Sequence, residues 1–146
     1  KLKKKHLPIS VESVRSNLND VAGVRVICAF LDDIYKVADM LTAQDDVELI
    51  KTKDYIKKPK MNGYRSLHLI ISVPVYFSDH KEQIRVEVQI RTIAMDFWAS
   101  LEHQVKYKKN VKDAESVMYE LRACADVINR TDCHMQSIRD RIVEID

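Results

Sequence analysis

From Arg85 to Arg91 the chain alternates without a break. Arg85, Glu87, Gln89 and Arg91 are polar, and Val86, Val88 and Ile90 between them are apolar and mostly β-branched. A period of two sends successive side chains to opposite faces of a strand, so this stretch belongs to a sheet with one apolar face and one polar face. Four polar groups in a row rarely line up on a core strand without partners. The carboxylate of Glu87, set between Arg85 and Gln89, must meet solvent, a basic group or a metal.

The neighbouring segments supply the rest of that sheet. Leu67 to Phe77 reads as a strand joined to Ile84–Thr92 through a turn at 78–82. Val24 to Phe30 is a nearly continuous apolar run, as expected of a mid-sheet strand covered on both faces, with Val21-Ala22-Gly23 turning the chain before it. Ser10 can cap a short helix bearing Val11, Val14 and Leu18, which ends at Asn19-Asp20. Asp32 and Asp33 cap a second helix with Ile34, Val37, Ala38 and Leu41 on one side, and that helix leads to a strand at Val47–Ile50. Residues 53–64 are basic and broken by Pro59 and Gly63, the signature of a long functional loop. A helix follows from Ile93 to Lys108, and a last one runs from about Asp113 to the end.

In that last helix Val117, Leu121, Cys124, Ile128, Thr131, Met135, Ile138, Ile142 and Ile145 recur at four- and three-residue steps. Such a seam serves a helix laid on its own domain or a coiled-coil contact with another subunit equally well. The order implies an α+β fold, a mixed β-sheet flanked by helices, in one domain spanning 1–146, with a core at about 1–109 and a helical region at about 113–146.

Hydrophobic residues make up 46% of the 146 residues and charged ones 32%, with two glycines and three prolines, a composition that excludes disorder. Cys28, Cys124 and Cys133 form no Cys-x-x-Cys pair, which argues against a disulfide framework or zinc site and for a reduced cytoplasmic setting. No apolar stretch approaches a spanning helix, so no membrane partner is expected. The net charge of +2 is too small to announce a polyanion partner, so the placement of the charges matters more. Lysines cluster at 1–5, at 51–60 and at 106–112. The chain opens without Met inside a basic stretch, which reads as a piece of a longer protein lacking upstream residues.

Within the middle cluster, Lys53, Lys60 and Arg65 surround Tyr55 and Tyr64, and Gly63 lets a backbone approach a ligand closely. Cations suit phosphates and aromatic faces suit a base, so the loop fits a nucleotide, with RNA an open alternative. Asp20, just before the first strand, is a cap or turn residue or else one of two carboxylates that hold Mg²⁺ with Glu87. For Glu87 an ion pair with Arg25 or Arg91 competes with the metal reading. His68 serves structure or catalysis, and Glu102 and His103 do not have metal-pair spacing.

Three segments, Asp20-Val-Ala-Gly-Val-Arg25-Val-Ile, Lys53-Asp-Tyr-Ile-Lys-Lys-Pro-Lys60-Met-Asn-Gly-Tyr64-Arg-Ser-Leu-His68 and Glu87-Val-Gln-Ile-Arg91-Thr, resemble the synthetase domain of RelA/SpoT-type GTP pyrophosphokinases. The run Ala94 to His103 resembles that of the small single-domain synthetases. The resemblance implies a nucleotidyltransferase-like synthetase fold and a transfer of pyrophosphate from ATP to the ribose 3′-hydroxyl of GTP or GDP. It also implies that Asp20 and Glu87 hold Mg²⁺, with Glu87 helping to deprotonate the acceptor. Tyr64 stacks on guanine in this reading, and Lys60, Asn62 and His68 line the acceptor pocket with Lys53 near phosphates. Arg25 and the segment from Lys1 face ATP, while Gln89 and Arg91 support the site. Only the last lysine of the family's upstream ATP-binding segment has a counterpart, Lys1. A homo-oligomer, a tetramer among the options, follows from the helical seam. The competing reading is a catalytically silent nucleotide- or RNA-binding module.

Overall fold

The computed structural model of the chain describes Pro8, residues 22–107 and residues 114–143. Four strands form one sheet: β1 (Ala22–Cys28), β2 (Glu48–Asp54), β3 (Leu67–Tyr76) and β4 (Lys81–Thr92). Three helices accompany them: α1 (Leu31–Thr42), α2 (Ile93–Tyr107) and α3 (Ala114–Val143). The sheet order is β1-β4-β3-β2, with β1 parallel to β4 and the other pairs antiparallel. The result is a mixed α+β fold.

β4 has the two faces its alternation dictates. Val88 and Ile90 join Leu67, Leu69 and Ile71 of β3 in the core, under Ile34 and Ala38 of α1. Ile90 is fully buried. Ile90→Ala should therefore cost about 2–5 kcal/mol through lost contacts and an unfilled cavity. Urea unfolding checks this as a lower midpoint at unchanged slope.

Three expectations about the sheet are corrected. Among the described residues β1 is an edge strand rather than a central one, and Val24 and Ile27 are exposed. Ala22 and Gly23 lie inside β1, paired to Val86 and Glu87, and do not form a turn. β2 extends to Asp54 and so takes in Lys51 and Lys53, because pairing with β3 through Lys53 and His68 continues the ladder past the apolar residues. The helix read from Ser10 to Leu18 lies outside the described residues.

α3 is docked on its own chain by polar contacts as well as by the buried Ala125. Thr92, which caps α2 by accepting the Met95 N–H at 3.1 Å, donates its hydroxyl to the buried Asp132 at 2.5 Å. Burial pushes the Asp132 carboxyl upward, and the Thr92 bond opposes that. Arg139 reaches Asp32 and Asp33 at the start of α1, at 2.6 and 3.3 Å. The Trp98 indole donates to the Leu121 carbonyl at 2.9 Å. The helix face turned inward is therefore Leu121, Ala125, Ile128, Asp132, Gln136 and Arg139, which shares Leu121 and Ile128 with the apolar seam and otherwise departs from it. Cys124, Thr131, Met135 and Ile142 of the seam are exposed.

Candidate active site

Strand register gathers the polar residues into rows. Arg25, Gln89, His68 and Lys53 pair successively across β1, β4, β3 and β2, so each strand contributes one polar group to a single row across the sheet. Glu87 sits in the next row, opposite Gly23, which carries no side chain to cover it.

The hydrogen bonds in this cluster have a determinable direction. Arg91 donates from Nη2 to the Tyr64 hydroxyl at 2.7 Å, so that hydroxyl donates its own proton to His68 Nε2, 2.8 Å away. His68 then carries its proton on Nδ1 and donates it to Glu87 Oε1 at 3.2 Å. Burial lowers the His68 pKa; Glu87 opposes the shift, while Arg91 and Lys60 add to it. A neutral ring with one N–H is what this network requires. Lys53 Nζ stands 4.0 Å from the same Oε1, and Gln89 donates weakly to Oε2 at 3.4 Å.

Arg91 is buried and uses four of its five N–H donors. Besides Tyr64 it bonds Gln89 Oε1 at 2.9 Å, Ser66 Oγ at 3.4 Å and Asp96 Oδ1 at 3.1 Å. Arg25 reaches the same Asp96 oxygen at 3.2 Å. The pairing of Glu87 with Arg25 or Arg91 that charge alone allowed is thus replaced by Asp96, which leaves Glu87 facing Lys53 and His68. Asp96 lies one turn into α2; Arg25 is remote from it in sequence and Arg91, though only five residues before it, lies on the preceding strand, so only the turn from β4 into α2 brings the three together.

The loop between β2 and β3 brings the aromatic groups. Lys60 Nζ lies 4.6 Å from the ring centroids of both Tyr55 and Tyr64, while the Arg91 guanidinium faces Tyr64 at 5.2 Å. Asn62 donates to Glu102 of α2 at 2.9 Å and accepts the Tyr64 N–H at 3.2 Å. Glu102, whose spacing from His103 suits no metal pair, instead anchors this loop by a hydrogen bond. Arg65 does not join the tyrosines: its side chain turns away to α3 and pairs with Asp126 at 3.1 Å. Beside Tyr64 a cavity of about 460 Å³ opens, lined by Arg25, Arg91, Ala99, Ser100, Glu102 and His103 among others. That volume lies in the range of small-molecule sites. Asp20 and Lys1 fall outside the described residues, and among the described residues no cluster of three or more His, Cys, Asp or Glu side chains could hold a metal by itself.

A family model described as the region found in RelA/SpoT proteins matches residues 1–112. The chain belongs to the RelA/SpoT family. Its similarity to curated members runs nearly end to end. It is 44% identical to GTP pyrophosphokinase YwaC of Bacillus subtilis, over 97% of this chain and 68% of that protein. It is 37% identical to GTP pyrophosphokinase YjbM of the same organism, over 99% of this chain and 67% of the relative. Among solved structures, the small alarmone synthetase 1 of Bacillus subtilis bound to its product pppGpp superposes with a TM-score of 0.85 at 35% identity, covering 97% of this chain and 70% of that one. As a RelA/SpoT protein the chain is a transferase of the GTP pyrophosphokinase group. No helix among the described residues is long and apolar enough to cross a membrane.

Proposed function

We propose that this chain transfers the β,γ-pyrophosphate of ATP to the 3′-hydroxyl of GTP or GDP, making (p)ppGpp. The observation that carries the reading is the single polar row from Lys53 to Arg25, with Glu87 beside it and the Tyr64 cavity at its end. Relatives named GTP pyrophosphokinase, and solved synthetases bound to pppGpp or to AMPCPP, support it.

In this reading the 3′-oxygen attacks the β-phosphorus of ATP, the bond from that phosphorus to the α-bridging oxygen breaks, and AMP leaves. Glu87 takes the proton of the 3′-hydroxyl. His68, by donating to Oε1, holds the carboxylate in one orientation. Lys53 faces the transferred phosphates, Arg25 and the basic segment from Lys1 to Lys5 face ATP, and Gln89 and Arg91 keep the row in place. Tyr64 stacks on guanine, with Lys60 and Asn62 beside it; a stacked base would replace one of the two cations now facing that ring.

The donor set suits Mg²⁺, a hard cation that uses one or two carboxylates and fills its other positions with phosphate and water. Glu87 Oε2 receives only the 3.4 Å contact from Gln89 among the described residues. Asp20 stands three residues before Gly23, the residue paired to Glu87, a span of at most roughly 11 Å. Asp20 and Glu87 would hold the ion, which when bound neutralises charge on the phosphates.

The exposed thiols of Cys124 and Cys133 fit a reducing cytoplasm. Ile93, Phe97, Leu101 and Val105 form an exposed apolar stripe on α2, for which a second copy of the chain is the proposed cover, giving a homo-oligomer that light scattering would detect.

Incubating the full-length protein with γ-labelled ATP, GTP and Mg²⁺ tests the activity. Metal-dependent appearance of label in a guanosine tetra- or pentaphosphate is expected. No guanosine product, with GTP still bound, would replace this reading by the silent binding module.

A further inference from the structure

The loop that carries Lys60, Asn62 and Tyr64 lies directly on α3. Gly63 has φ +88°, and a Cβ built there would stand 2.5 Å from Ala125 Cβ and 3.3 Å from Arg122 Cα. Backbone therefore touches helix, with nothing but a hydrogen between them. On either side of that contact, charged groups bind carbonyls across the gap. Arg65 Nη1 donates to the Ala125 carbonyl at 3.2 Å, its Nη2 pairs with Asp126 at 3.1 Å, and Arg122 donates to the Met61 carbonyl at 3.3 Å. Arg65 is mostly buried, its side chain 13% exposed.

From within, the loop is held by two short backbone bonds, Gly63 N–H to the Lys60 carbonyl at 2.8 Å and Lys60 N–H to the Tyr64 carbonyl at 3.2 Å. Those bonds shape the turn but do not place it. Its position over the sheet is set by Asn62 on α2 and by the contacts to α3. α3 in turn is fixed at both ends of the chain's core, by Trp98 and Thr92 on one side and by Arg139 with α1 on the other.

We propose that α3 is a working part of the acceptor site: Arg65, Asp126 and the Gly63–Ala125 contact are positioning elements that set the affinity for the guanosine nucleotide. This rests on the activity proposed above. The chemistry distinguishes the role from plain packing. None of these residues reaches the polar row, so weakening them loosens the loop at Lys60 and Asn62, while the Tyr64 hydroxyl stays tied to Arg91 and His68 and Glu87 and Arg25 keep their places. ATP contacts and the reacting groups should be spared.

Three variants of the full-length protein test this: Arg65→Gln, Asp126→Asn and the wedge Ala125→Val. KM for GTP, and the dissociation constant for GDP measured by calorimetry without ATP, should rise about tenfold, as expected for loss of a charged hydrogen bond that orders a binding loop. KM for ATP and kcat should stay within about twofold. Hydrogen exchange at the Lys60 and Gly63 amides should quicken about tenfold in the same proteins while the β3 and β4 amides keep their protection. Unchanged GDP affinity in all three folded variants would overturn the proposal, as would equal losses in both KM values, since those report a general loosening. Unchanged exchange at Lys60 and Gly63 would overturn it too. Absence of product from the wild-type protein would instead refute the activity, and the exchange and GDP-binding measurements would still decide the role of α3.

Discussion

Replacing Glu87 by Gln should lower kcat by about 10²–10⁴-fold while GDP binding stays within about threefold. The change removes a negative charge and the ability to accept a proton, yet it keeps the side chain's length and one carbonyl oxygen. That oxygen can still accept from His68 Nδ1, the strongest of the bonds that now fix the carboxylate. The losses are the 4.0 Å attraction to Lys53, a partly exposed pair of small energetic weight, and the long contact from Gln89. Stability in urea should consequently change by less than about 1 kcal/mol. Single-turnover assays with labelled ATP at saturating GTP separate this loss from any effect on binding. A variant that retains transfer would remove Glu87 from both the metal and the base roles.

How much of this was legible beforehand depends on the range of the forces involved. The two faces of β4, the helix that carries Ile34, Val37, Ala38 and Leu41, and the long terminal helix are set by local alternation and periodicity, so they could be read directly. The N-cap of the first of these helices is Phe30 rather than Asp32 or Asp33. The rank of β1 in the sheet could not, because an apolar run such as Val24–Ile27 looks the same at an edge as in the middle, and only pairing decides. The extension of β2 through Lys51 and Lys53 has the same origin, a ladder continued by its partner strand against weak local propensity.

Site chemistry divides in a similar way. Glu87, Gln89 and Arg91 were marked by lying on one face of one strand, and the motifs around Tyr64 pointed to a nucleotide. The charge pairings depend on which groups the packed helices bring within reach, even where the partner is close in sequence, as Asp96 is to Arg91. Asp96 rather than Glu87 takes Arg25 and Arg91, and Arg65 turns to Asp126 instead of the tyrosines. Nothing in the spacing of these residues reveals which of several nearby opposite charges is reached once the helices are in place. The rotation of α3 is a further instance. An apolar count locates the seam, and Leu121 and Ile128 of it lie on the inward face, but a buried carboxylate at Asp132 and the Arg139 pairs rotate that face and leave Cys124, Thr131, Met135 and Ile142 exposed.

Tyr64→Ala and Tyr64→Phe together separate the ring from its hydroxyl. Alanine deletes the stacking face, two cation contacts and the link between Arg91 and His68. A base–aromatic stack contributes about 1–3 kcal/mol by alanine substitution, so acceptor affinity should fall about 5- to 150-fold while KM for ATP is nearly unchanged. Phenylalanine keeps the face and removes only the oxygen. Its cost should appear in stability, about 1 kcal/mol for the bonds lost by His68 and Arg91, with acceptor affinity within about threefold of the parent protein. Calorimetry with GDP measures the affinities and urea unfolding the stabilities. Should Tyr64→Phe weaken GDP binding as much as Tyr64→Ala does, the hydroxyl network and not the stacked ring would be what holds the acceptor, and Tyr64 would belong with His68 and Arg91 as a support of Glu87.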